Sequence, residues 1–282
     1  MRWKTPRITL EWPAPVTVMG VINVTPDSFS DGGRHLDPHA AVRGALAMVK
    51  AGAQILDIGG ESSRPGAAPV SLEEELARVI PVVEALRPHT EALISVDTYK
   101  AKVAEAAMAA GADVINDISG FEADPEMASV AAATGAGVIL MHMRGTPETM
   151  QVGDLAAEDI NAMAMGALKA AMEKATAAGV DPEAICLDPG IGFGKTVEQN
   201  LQLIARLDEW SIFGRPLLLG VSRKSFIGAL TGRPVEGRRW GTAAAIACGI
   251  WQGCQIIRVH DVDEMRDVAV VAQAIAGARR GR

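Results

Sequence analysis

The chain has 282 residues and a formal net charge of −7; 49% of its residues are hydrophobic and 22% charged. That length suits one large α/β barrel or two small domains, with a globular balance rather than a disordered one. The acidic charge argues against non-specific nucleic-acid binding, and no apolar run reaches the ~20 residues of a membrane helix. The lead-in MRWKTPRITLEWPAP carries three prolines and no apolar signal core, so a soluble, cytoplasmic protein is expected. Cys186, Cys248 and Cys254 form no CxxC pair; they suit a reducing compartment and read as small buried hydrophobes.

Residues 1–15 read as a Pro-broken lead-in or a small hairpin covering one end of the core, and residues 16–282 as one domain. Val16 to Asn23 is nearly continuous apolar sequence ending in an amide, as in a parallel-sheet strand buried on both faces. A loop rich in turn residues follows at 25–33, then Pro38 to Gly52 with helical spacing at Val42, Leu46 and Val49 and a glycine stop. The unit recurs. Ile55 to Ile58 is a strand, Gly59 to Pro69 a loop, and Ser71 to Leu86 a helix with Ser71 and Glu74 at capping-box spacing. Leu93 to Val96 runs into Asp97, ahead of a helix from Tyr99 to Gly111. Val114 and Ile115 run into Asn116 and Asp117, ahead of a helix from Pro125 to Gly135. Val138 to Met141 runs into His142, with a helix from about Leu155 to Ala178.

The sixth unit is the most informative. Ile185 to Leu187 runs into Asp188 and then Pro-Gly-Ile-Gly-Phe-Gly-Lys195, a loop tight enough to require glycine, with a helix starting near Val197. By itself Asp188 reads equally well as a cap for that helix. Leu217 to Val221 runs into Ser222, Arg223 and Lys224, with a helix from roughly Gly241 to Gly253. Ile256 to Val259 runs through Arg258 into His260 and Asp261, with a last helix reaching about Gly277. Eight strand–helix units in about 250 residues predict a single-domain (β/α)8 TIM barrel. An open doubly wound sheet usually has fewer strands and a GxGxxG fingerprint after the first, and Asn23-Val-Thr-Pro is not one.

In such a barrel the C-terminal strand ends share the rim where active sites sit. Here they carry Asn23, Glu61 to Arg64, Asp97, Asn116, His142, Asp188, Lys224, Arg258 and His260. One polar strand end is usually a cap, but a full ring is not. Asp97, Asn116 and Asp188 suit a flat heterocycle that presents amino and ring N–H donors, with Lys224 reaching a carbonyl or ring nitrogen. Asn23, Arg64, Arg258 and His260 suit a phosphate or pyrophosphate. Asn23 and Asp31, with a pyrophosphate, could hold Mg²⁺, which takes oxygen ligands. No GxSxG elbow supports acyl transfer, and His142 and His260 are too isolated for zinc.

GVINVTPDSFSDGG (20–33), DIGGESSRPGA (57–67), SVDT (95–98), INDISG (115–120), LMHMRGTP (140–147), LDPGIGFGK (187–195), GVSRKSFIG (220–228) and RVHDV (258–262) together resemble dihydropteroate synthase, in order from about residue 16 to 265. The resemblance implies a pterin-binding barrel that condenses dihydropterin-CH₂-pyrophosphate with p-aminobenzoate, with Mg²⁺, to give 7,8-dihydropteroate and pyrophosphate. It assigns Asp97, Asn116, Asp188 and Lys224 to the pterin, and Asn23, Ser63, Arg64, Arg258 and His260 to the pyrophosphate. Ser63, Arg64, Pro65, Phe193, Ser222 and Lys224 fall to p-aminobenzoate, Asn23 and Asp31 to the metal, and the catalytic roles to Asp97, Lys224 and Arg258. Loops holding Asp27 to Asp31 and Ser63 to Pro65 would close over the site; Ser63 stands where the family usually has threonine. A dissociative substitution is expected. Two other readings stay open: a related barrel that moves a methyl group from a folate to a corrinoid, and a barrel that only binds a pterin. Val268 to Ala276 is apolar on much of its surface, which fits either a homodimer interface or core packing.

Overall fold

The computed structural model describes residues 1–25, 38–155 and 159–280. Strands β1 (Arg2–Lys4) and β2 (Thr9–Glu11) pair as an antiparallel hairpin. The remaining strands are β3 (Thr17–Asn23), β4 (Ile55–Gly59), β5 (Leu93–Asp97), β6 (Val114–Asp117), β7 (Gly137–Met141), β8 (Ile185–Asp188), β9 (Leu218–Leu219) and β10 (Ile256–Val259). All eight run parallel in the order β8-β7-β6-β5-β4-β3-β10-β9. The two ends of that sheet meet: Leu187 bridges Leu217, and the Leu187 N–H donates to the Pro216 carbonyl at 2.9 Å. The result is the expected (β/α)8 barrel, with a thin seam between β8 and β9.

Helices α1 (Pro38–Ala51), α2 (Leu72–Leu86), α3 (Ala101–Ala109), α4 (Met127–Thr134), α5 (Ile160–Ala177), α6 (Val197–Ala205), α7 (Ser225–Thr231), α8 (Arg239–Trp251) and α9 (Val262–Arg280) connect the strands. Several differ from the sequence reading for visible reasons. Helix α3 starts two residues late because Tyr99 and Lys100 stay in the preceding turn, where the Tyr99 hydroxyl and the Lys100 ammonium bond Glu61. Helix α5 starts at Ile160, where the Asp159 carboxylate accepts the N–H groups of Asn161 and Ala162. Helix α7 was not foreseen; at seven residues it is too short to show a period. The seventh barrel strand, expected over 217–221, keeps only two residues. Ser71 does cap α2 through the Glu74 N–H at 3.2 Å, but Glu74 turns its carboxylate to Arg78 instead of back to the cap. A reciprocal capping box stands instead at Thr196 and Gln199. Cys186 and Cys254 are buried as expected, whereas Cys248 is exposed, on the outer face of α8.

Alternate residues on each strand face the barrel axis. The N-terminal layer of that interior is apolar: Met19, Ile55, Leu93, Val114, Ile139, Cys186, Leu218 and Ile256 pack together with Trp3 from the hairpin. Trp3 is fully buried, and its indole N–H donates to the Ala184 carbonyl at 2.8 Å, so the hairpin closes the barrel's N-terminal end. Among the described residues no helix is long and apolar enough to cross a membrane. Trp3→Ala should destabilise the barrel by about 3–5 kcal/mol, read from denaturant unfolding. A loss under about 1 kcal/mol would show the hairpin to be an appendage rather than part of the core.

Candidate active site

Two residues beyond the apolar layer, five of the eight inward positions are polar. The eight are Val21, Asp57, Ser95, Asn116, Met141, Asp188, Gly220 and Arg258, and the next inward positions include Asn23, Gly59, Asp97 and His260. The strand period therefore delivers three carboxylates, two amides and a guanidinium to one mouth without any special loop geometry.

Arg258 ties this layer together. Its Nε donates to Asp57 Oδ2 at 2.6 Å and its Nη2 to Asp97 Oδ2 at 2.6 Å. The same Asp57 oxygen accepts from Asn116 Nδ2 at 3.1 Å. Asp57 is fully buried, and its Oδ1 and the neighbouring Ser95 Oγ have no hydrogen-bond partner among the described residues. Burial pushes the Asp97 carboxyl up to about 7 in spite of the opposing pull of Arg258, with the Asp57 charge adding to the rise.

Asp188 uses Oδ1 to accept the Gly190 N–H at 2.7 Å, so it organises its own loop rather than capping α6. That loop needs its glycine at 190: φ is +72°, and a Cβ there would lie 1.9 Å from the His142 carbonyl oxygen. Lys195 locks the loop from beneath. Its buried ammonium donates to the carbonyls of Gly190 at 2.8 Å, Phe193 at 3.0 Å and His142 at 3.1 Å. The loop in turn presents the Phe193 ring, whose centroid lies 3.9 Å from Lys224 Nζ. Burial pushes the Lys224 ammonium down to about 8. Ile118, Met141, Met150 and Phe193 form a small apolar cluster beside it.

On the facing side, Ser222 Oγ accepts the His260 backbone N–H at 3.2 Å and lies 2.9 Å from His260 Nδ1. The hydroxyl can donate to Nδ1 or accept from it, according to the tautomer of His260. Burial and the Arg258 charge push this imidazole down to about 4, so it is neutral near pH 7. Asn23 is half-buried at the end of β3, Ser63 is half-buried, and Arg64 and Pro65 are exposed on the 60–70 loop. Asp27 and Asp31 lie outside the described residues. His142, one of the strand-end groups, has no hydrogen-bond partner at Nδ1 among the described residues and is held neutral, its pKa lowered to about 3 by burial.

The pterin binding enzyme family matches residues 19–260 of this chain. Dihydropteroate synthase of Synechocystis sp. is 48% identical over 270 residues, which cover 94% of this chain and 92% of that protein. The chain belongs to the dihydropteroate synthase family. It is therefore an enzyme of the transferase class. Among solved members, the Yersinia pestis dihydropteroate synthase in a sulfonamide drug complex superposes with a TM-score of 0.91 at 44% identity, over 99% of this chain and 100% of that one. The Burkholderia cenocepacia dihydropteroate synthase complexed with 7,8-dihydropteroate gives a TM-score of 0.89 at 43% identity, over 100% and 98% of the two chains.

Within this family frame, Asp97, Asn116, Asp188, Lys224 and Arg258 converge on one mouth, with Ser222, His260 and Phe193 on its wall. Arg258, read from the sequence as a pyrophosphate group, sits between two carboxylates, Asp57 and Asp97. Asp57 and Ser95 were missed because strand ends were searched and both lie inside strands. The signal available was a carboxylate at an inward position of an otherwise apolar run, Ile55-Leu56-Asp57-Ile58.

Proposed function

We propose that the protein condenses dihydropterin-CH₂-pyrophosphate with p-aminobenzoate, giving 7,8-dihydropteroate and pyrophosphate in folate biosynthesis. The observation that carries this reading is the layer of carboxylates and amide across one barrel mouth with two cations beside it. It supplies acceptors for the amino and ring N–H donors of a pterin. The 7,8-dihydropteroate bound to the Burkholderia relative is a pterin joined to p-aminobenzoate, which supports the same chemistry here.

In this reading Asp97, Asn116, Asp188 and Lys224 hold the pterin. Asn23, Ser63, Arg64, Arg258 and His260 receive the pyrophosphate; His260 does so as a neutral imidazole. Ser63, Arg64, Pro65, Phe193, Ser222 and Lys224 border p-aminobenzoate. The substitution is dissociative: the CH₂–O bond breaks and its electron pair leaves with pyrophosphate. The aniline nitrogen then attacks the pterin-stabilised CH₂ cation and releases its proton. Asp97 favours the cation and Arg258 the leaving anion, so catalysis rests on positioning and fixed charge, with no dedicated base.

Among the described residues no group of three or more His, Cys, Asp or Glu converges as a metal cage. A Mg²⁺ that relies on substrate phosphates and water needs few protein ligands, and the Asn23 amide oxygen at the rim fits such a site. Asp31 would be its second protein ligand. When bound, the ion would neutralise charge on the leaving anion.

We also place the protein in the cytoplasm, in keeping with its free cysteines. We read it as a homodimer, because α9 exposes Val270, Val271 and Ile275, each 57–61% accessible. Protein from the cytosolic fraction should sediment at about twice the 29.5 kDa chain mass, and Val271→Glu with Ile275→Glu should halve it. A wild-type monomer would remove the dimer.

The reaction is tested by mixing the protein with dihydropterin-CH₂-pyrophosphate and Mg²⁺, with and without p-aminobenzoate. Pyrophosphate release that depends on p-aminobenzoate and yields dihydropteroate is expected; tight pterin binding with no release would overturn the assignment. The pH profile is a second check. Below about pH 7 Asp97 takes up a proton and stops accepting, and above about pH 8 Lys224 loses its ammonium charge. The kcat/KM for the pterin substrate should therefore form a narrow bell between these limbs, and a flat profile from about pH 6 to 9 would remove both roles.

A further inference from the structure

We propose that Asp57, which touches neither reacting centre in the reading above, is a positioning residue that sets Arg258 and Asn116 for the reaction. The inference rests on the proposed condensation and deepens it. A single oxygen, Oδ2, accepts from Arg258 Nε at 2.6 Å and from Asn116 Nδ2 at 3.1 Å. It thereby fixes the plane of the guanidinium and the rotation of the amide. With Nε held by Asp57 and Nη2 held by Asp97, Arg258 Nη1 is the guanidinium nitrogen without a hydrogen bond among the described residues. Asp57 thus selects which nitrogen is offered to a leaving phosphate oxygen. It also selects which end of Asn116 faces the heterocycle, since the Nδ2 end is already taken.

Stability alone does not account for such a group. Asp57 is fully buried with Oδ1 unpartnered among the described residues, and it occupies an inward layer where Val21 and Met141 stand on other strands. A buried ion pair generally contributes no more than a well-packed apolar side chain would, and an unsatisfied carboxylate oxygen adds cost. What the carboxylate supplies is direction: two donors from strands β10 and β6 converge on one point of β4. Its charge also acts on Asp97. The groups facing Asp97 are Arg258 and Lys224, which lower its pKa, and Asp57 and Glu75, which raise it.

The test is a double-mutant cycle on dihydropteroate formation by the full chain, with Asp57→Asn and Arg258→Met made singly and together. Asp57→Asn should lower kcat by about tenfold or more and raise KM for the pterin substrate, with KM for p-aminobenzoate unchanged. In the Arg258→Met background its effect on kcat should shrink to about twofold, because the group it orients is gone. The acid limb of the Asp57→Asn profile should move to lower pH. Should Asp57→Asn fail to fold, Asp57→Glu keeps the charge and moves it by one methylene; it should lose kcat with the acid limb in place. Additive kcat effects in the cycle, a uniform loss without the split between the two KM values, or near-normal kcat in Asp57→Glu would overturn the positioning role. A wild-type protein that forms no dihydropteroate would instead overturn the proposed function.

Discussion

The structure turns on a change of character between two consecutive layers inside one barrel. The N-terminal layer is hydrocarbon, stoppered by Trp3; the next holds Asp57, Asn116, Asp188 and Arg258. Charges at that depth persist only when they compensate one another, since each is expensive to remove from water. Arg258 therefore lies across Asp57 and Asp97, and Lys224 rests against Phe193 within the field of Asp97 and Asp188. The arrangement is close to neutral as a whole but uneven locally. Burial pulls the Asp97 and Lys224 titrations towards each other, to about 7 and about 8, with the opposite charges around each working against it.

The fixed geometry of this layer comes from elements that are themselves over-determined. The loop after β8 is held by the Asp188 carboxylate at one end and by three carbonyl bonds to Lys195 beneath it. Lys195 does for this loop what a bound cation does elsewhere, gathering three carbonyls around one charge. The loop is thereby stiff where it presents Phe193. By contrast, the 60–70 loop is held mainly near its start, where Glu61 meets Tyr99 and Lys100, and by one bond from the Gly66 N–H to the Pro147 carbonyl. A stiff wall faces a loosely tied one, which suits a site that must admit two substrates and release two products.

The parallel barrel was legible because buried strands write themselves as short apolar runs, and eight of them alternate with helical spacing. Helix boundaries were less so. Tyr99 and Lys100 look helical until Glu61, nearly forty positions earlier, claims them, and that contact leaves no trace in local sequence. The convergence of polar groups was legible wherever a polar residue closed a strand, as at Asp97, Asn116 and Asp188. It was illegible one layer down: Asp57 is flanked by leucine and isoleucine, and only the two-residue period counted from Ile55 reveals that it faces the axis. The pairing of Arg258 could not be read either, because an arginine at a rim position has a reach that spans either end of the mouth.

The barrel is not hooped evenly. Strands β3 to β7 are laced to their neighbours by several rungs, whereas β8 and β9 meet at the single Leu187–Leu217 bridge, and β9 contributes two residues to β10. The seam opens at the mouth between Asp188 and Lys224, two of the groups that face the heterocycle pocket. A flat ligand held by both is in effect a rung laid across the one place where the backbone offers few of its own.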